Sequence, residues 1–129
     1  MNDGITDFVE EGANKASDMA ERRARRVPTD IDINWGFEAD CPFTGTIINM
    51  TVFGCAIHNK EEVKVLPGQI ILIRFWMPQE RILKLEVVHK MLKGVKIFGA
   101  KFLDLTKEEK ETIKQMVQLF GQLESTKQP

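Results

Sequence analysis

Four arginines within five residues, Arg22, Arg23, Arg25 and Arg26, are the densest concentration of reactive chemistry in the sequence. A guanidinium presents a planar fork of donors that grips phosphate oxygens and other paired acceptors, so a cluster of them suits an anionic ligand. The same run also reads as a solvated patch or the end of a helix. Its setting is unusual: residues 1–21 carry Asp3, Asp7, Glu10, Glu11, Asp18 and Glu21 against Lys15 alone, and a strand-like segment comes next. Twenty-three residues after Arg26 comes Asn49-Met50-Thr51-Val52-Phe53-Gly54. Asn offers an acceptor and two donors, Thr a hydroxyl, and two residues apart on a strand they face the same way. Gly54 admits a close backbone approach or a positive φ. Asn49 and Thr51 equally suit a turn in which they bond their own backbone, and Gly54 suits a bulge.

Other chemistries lack their parts. There is no P-loop, no Gly-x-Ser-x-Gly elbow and no His-Glu-x-x-His. Cys41, Cys55, His58 and His89 are the soft metal ligands, and Cys55 and His58, three apart on an extended strand, fall on opposite faces. Cys55 reads as a small core residue. Ser17 and Ser125 lie near the ends of the chain and make poor nucleophiles. These residues point to a binding protein rather than an enzyme, with no metal and no cofactor.

Positioning these groups falls to a run of short strands. Pro28 stops any helix through the arginines. Ile31, Ile33 and Trp35 then alternate with Asp30, Asp32 and Asn34, the period of a strand with one buried face. Residues 45–52 and 53–58 read as further strands interrupted at Gly54. Pro67-Gly68 marks a turn, and residues 69–77 a buried strand ended by Pro78. Residues 81–92 alternate again, Lys93-Gly94 suits a hairpin turn, and residues 95–105 form a last strand with a bulge or close backbone approach at Gly99. Trp35 and Trp76 read as core. Thr106 and Glu109 have the spacing of a capping box, and Ile113, Met116, Val117, Phe120 and Leu123 form one apolar stripe of a helix. Six antiparallel strands in so short a chain leave two costly edges unless the sheet closes, so a small β-barrel with a C-terminal helix is expected.

The composition is consistent with this. The 129 residues are 43% hydrophobic and 29% charged, which suits one domain with a real core. A net charge of −1 argues against a general nucleic-acid binder. Two cysteines make no disulfide framework, no apolar run spans a bilayer and no secretory signal opens the chain, so a cytoplasmic protein without membrane insertion is expected. Residues 5–21 could form a weak helix, and residues 1–20 read as a flexible acidic leader.

Together, the arginines and the Asn49 segment resemble the PilZ domain, the bacterial receptor module for cyclic di-GMP. That family carries Arg-x-x-x-Arg before its first barrel strand and Asp/Asn-x-Ser-x-x-Gly some twenty to thirty residues later. Arg22 and Arg26 match the first motif; Asn49, Thr51 and Gly54 match the second, with Thr for Ser. The opening Glu21-Arg22-Arg23 before Val27-Pro28, the turn Leu66-Pro67-Gly68-Gln69 and the strand 98–105 extend the likeness over residues 21–121. The resemblance implies a six-stranded antiparallel barrel with a C-terminal helix and a flexible N-terminal arm, with a leader at 1–20, the domain with its arginine arm at 21–124 and a tail at 125–129. It implies a ligand site made of Arg22, Arg23, Arg26, Asn49, Thr51 and Gly54. His89 is added where some members stack an aromatic on a guanine, although a plain surface residue fits that position equally. Guanidinium groups suit the two phosphates of cyclic di-GMP and the O6 and N7 of its guanines. A monomer is expected, relaying the signal to an unidentified effector protein that controls motility or exopolysaccharide. The alternative is a PilZ-like adaptor that binds no nucleotide.

Overall fold

A computed structural model describes residues 24–76, 79–89 and 96–127. Arg22, Arg23, residues 1–20 and the Lys93-Gly94 turn lie outside them. The described chain forms β1 (Val27–Gly36), β2 (Phe43–Met50), β3 (Gly54–Asn59), β4 (Ile70–Trp76), β5 (Glu80–His89), β6 (Ile97–Leu103) and the helix α1 (Lys107–Lys127). Every strand pair is antiparallel, in the closed order β1-β2-β3-β6-β5-β4. Closure comes from β1, whose Asn34, Trp35 and Gly36 pair with Arg74, Ile73 and Leu72 of β4. Among the described strands no edge is left open to another chain.

Alternation fills the barrel. Ile33 and Trp35, then Ile71, Ile73 and Phe75, then Leu83, Leu85 and Val87 point inward and are buried. Each such side chain stabilises the fold by about 1.5–3 kcal/mol relative to exposure. Trp35 is fully buried, with ring centroids 5.0 Å from Phe43 and 5.3 Å from Phe98. Its indole Nε1 donates to Asn59 Oδ1 at 3.1 Å, and the Asn59 amide donates to the Glu61 carbonyl at 2.6 Å, so neither buried polar group lacks a partner. Trp76 departs from expectation. Inward-facing Ile71, Ile73 and Phe75 force the next residue outward, and Trp76 is 71% exposed.

The helix begins as its sequence predicts. The Thr106 N–H donates to Glu109 Oε1 at 2.9 Å, and the Glu109 N–H donates to Thr106 Oγ1 at 3.0 Å. Ile113, Met116 and Val117 join the barrel core and Phe120 packs at its margin, whereas Leu123 faces solvent. The Pro67-Gly68 turn is also as expected: Gln69 N–H donates to Leu66 O at 3.2 Å, and Gly68 holds a φ of 92° that a side chain would strain. Of the two readings of Gly99, the bulge lies on the facing strand, between Val87 and His89 of β5, while Gly99 itself meets a close approach, that of the His89 ring.

Replacing Asn59 by Leu should leave the Trp35 indole N–H and the Glu61 N–H without their shared acceptor, while the Glu61 carbonyl keeps the Val63 N–H, and cost about 1–3 kcal/mol. Urea unfolding of Asn59→Leu against wild type checks this; an unchanged midpoint would remove Asn59 from the account of the core.

Candidate ligand site

Two β-bulges shape the outer surface. In β2 the register slips between Ile47 and Asn49, and in β5 between Val87 and His89. Each extra residue reverses the facing of the residues after it. Ile47 points into the core, yet Asn49, two positions on, lies half-exposed on the outside. Across β2, β3, β6 and β5 the partners run Asn49–Ala56, Ala56–Gly99 and Gly99–His89. The adjacent row, Met50–Cys55–Ala100–Val87, is buried. Asn49 and His89 thus bracket two small residues on the outer face. With strands about 4.8 Å apart, they stand roughly 14 Å from each other.

The arginine arm reaches this row from the other side. Val27 is fully buried and pairs with Met50, and Pro28 pairs with Asn49. That register places Arg26 beside Asn49, and its Nη1 donates to Asn49 Oδ1 at 2.6 Å. Arg25 turns the opposite way, with Nη2 3.5 Å from the Gly121 carbonyl of α1. Strand pairing from Val27 and these two side-chain contacts hold residues 25–28 against the barrel. Arg25 carries no sign of this role in the sequence, because its partner lies 96 residues away.

Thr51 and Gly54 sit differently from the strand expectation. β2 ends at Met50, so Thr51 belongs to the turn and does not share a face with Asn49. It is buried, and its Oγ1 accepts from the Phe53 N–H at 3.0 Å and the Gly54 N–H at 3.2 Å. Its own N–H donates to Gly54 O at 2.8 Å. The hydroxyl is a turn clamp, a task that either Thr or Ser performs. Gly54 opens β3 where β6 passes closely: a Cβ there would stand 2.3 Å from the Ala100 carbonyl oxygen. His89 is exposed, with its ring edge over Gly99, 3.3 Å from where a Cβ would be. Cys55, beneath Asn49 and Ala56, has its thiol pushed up to about 12 by burial, an effect that the charge of Arg26 partly opposes. Cys41 is buried too, and its thiol is likewise raised by desolvation. Among the described residues no three His, Cys, Asp or Glu side chains converge as a metal site. No helix there is long and apolar enough to cross a membrane.

A closed six-stranded antiparallel barrel with a C-terminal helix, entered by a segment whose Arg26 bonds to Asn49 near the end of β2, defines a class of small β-barrel domain. The PilZ domain family model matches residues 20–119, and the chain belongs to that family, whose members are cyclic di-GMP receptors and adaptors. The PilZ domain of CeSA from a cellulose-synthesizing bacterium superposes with a TM-score of 0.57 at 18% identity, over 78% of this chain and 99% of that one. The Bacillus subtilis inhibitor of motility MotI/DgrA gives a TM-score of 0.59 at 12% identity, over 82% of this chain and 52% of that protein. No curated protein matches the chain.

The turn clamp and the buried thiol can each be tested by unfolding. Thr51→Val removes the acceptor for two backbone N–H groups and should destabilise the fold by about 1–3 kcal/mol, whereas Thr51→Ser should stay within about 1 kcal/mol of wild type. Urea unfolding of the pair tests the clamp, and equal losses would contradict it. For Cys55, a thiol that ionises at 9.0 when unfolded but at about 12 when folded favours the folded state below pH 9. That advantage shrinks as pH rises from 9 towards 12, by up to about 1.4 kcal/mol per pH unit. Between pH 8 and pH 10.5 wild type should therefore lose stability more steeply than Cys55→Ala; parallel slopes would contradict the buried thiol.

Proposed function

We propose that this chain binds cyclic di-GMP on the outer face spanned by Asn49, Ala56, Gly99 and His89, and passes the signal to a protein partner. The observation that carries the reading is the 2.6 Å bond from Arg26 to Asn49, which joins the two sequence motifs at one place. Ala56 and Gly99 leave a low floor on which a planar base lies flat, and the exposed His89 at its edge suits stacking on a guanine. Arg26, with Arg22 and Arg23 ahead of it, supplies the guanidinium donors for phosphates and for guanine O6 and N7. Thr51 and Gly54 act indirectly, by fixing the turn and the close β3–β6 approach that hold Asn49 in place. Family membership supports the ligand. The similarity to a cellulose synthase PilZ domain and to an inhibitor of motility supports exopolysaccharide or motility as the output.

The relay runs through the arm. Arg26 contacts the site and its neighbour Arg25 contacts Gly121, so a ligand that draws Arg26 off Asn49 also displaces the contact with α1. Such a shift needs a ligand that binds the displaced arm more tightly than the resting one.

Calorimetric titration of the full chain with cyclic di-GMP, with GTP and a single-stranded oligonucleotide as controls, tests the reading. Binding of cyclic di-GMP alone is expected. Arg22→Ala and Arg26→Ala should each lose charge-assisted bonds worth about 1.5–3 kcal/mol, roughly ten- to hundred-fold in affinity. Asn49→Ala combined with Arg26→Ala should cost less than the sum of the two, because the residues are bonded to each other. A folded wild type that ignores cyclic di-GMP would favour the nucleotide-free adaptor.

A further inference from the structure

An open groove of about 660 Å³ lies beside the ligand-site turn, on the side facing α1. Val52, Phe53, Phe102 and Leu105 line its apolar part, and Lys110 and Lys114 stand on its helical rim. Val52 and Phe53 are 39% and 38% exposed, unusual for apolar neighbours in a tight turn. Asp104 also lines the groove, but its carboxylate is engaged by Lys84 Nζ at 3.3 Å. Among the described residues neither Lys110 nor Lys114 has an ion-pair partner. The groove therefore fits a segment that carries apolar side chains and carboxylates in close alternation.

The chain contains one. Residues 5–11 read Ile-Thr-Asp-Phe-Val-Glu-Glu, and the whole of residues 1–21 holds six acidic residues against Lys15. The route is short. Val27 pairs with Met50, so the chain before it runs towards the 51–54 turn, and Arg25 rests on Gly121. Gly121 is seven residues, or about 10 Å, along α1 from Lys114. Up to twenty residues of leader span as much as about 66 Å, several times the distance required.

We propose that residues 5–11 of the leader dock in this groove, with Ile5, Phe8 and Val9 against Val52, Phe53 and Phe102, and with Asp7, Glu10 and Glu11 at Lys110 and Lys114. The groove is an interaction surface whose first occupant is the chain itself, and an effector that uses it must displace the leader. This inference does not depend on cyclic di-GMP binding.

Zero-length carbodiimide cross-linking of the full chain at low micromolar concentration, in an equal mixture of unlabelled and isotope-labelled protein, reads the contact directly. Peptide mapping should show links from Asp7, Glu10 or Glu11 to Lys110 and Lys114 within one chain, several-fold enriched over links to Lys60 and Lys96, which do not line the groove. Phe8→Ser combined with Val9→Ser, which alters no described core residue, should abolish that enrichment. Three results would overturn the proposal: links spread evenly over the lysines, links mainly between labelled and unlabelled chains, or enrichment unchanged in the double variant.

Discussion

The double pairing of β1 is the constraint on which the structure depends. It pairs with β2 from Val27 to Trp35 and, through its last three residues, with β4 as well, and this closes the sheet. One strand thereby removes both exposed edges and carries Trp35 to the centre of the core. It also places Arg26, because the Val27–Met50 and Pro28–Asn49 pairs leave that residue beside Asn49. The same register that closes the barrel thus assembles the site, and a slip of one residue would undo both.

Within that frame the site is built from interruptions of the regular strand pattern. The slips in β2 and β5 turn Asn49 and His89 outward, and Ala56 and Gly99 keep the surface between them low. Thr51 clamps the turn and Gly54 lets β6 approach. Thr51 and Gly54 thus hold backbone in place, while Asn49, Arg26 and His89 stand on the outer surface where the proposed site lies.

Much of this is legible in the sequence, and the failures have physical causes. Ile31, Ile33 and Trp35 announce β1 because a half-buried strand has period two, and Thr106 with Glu109 announces the helix because a capping box is local. The outward turn of Trp76 is also implied by the parity of Ile71, Ile73 and Phe75, although tryptophan's bulk argues for the core. The bulges leave no such sign, since neither Ile48 nor Val88 is marked by Gly or Pro. Without them, period two places Asn49 on the same face as Thr51 and Ile47, and neither holds. The Arg25 contact with Gly121 is a tertiary event between distant segments, and no local pattern encodes it.

The most direct test is an amide NMR titration of the isotope-labelled full chain with cyclic di-GMP. The account predicts that the largest shifts fall at residues 24–28, Asn49, Ala56, Gly99 and His89. Smaller shifts should appear near Gly121, and the opposite face around Asp32, Lys60 and Trp76 should stay still. Shifts centred on that opposite face, or none at saturating nucleotide, would contradict it.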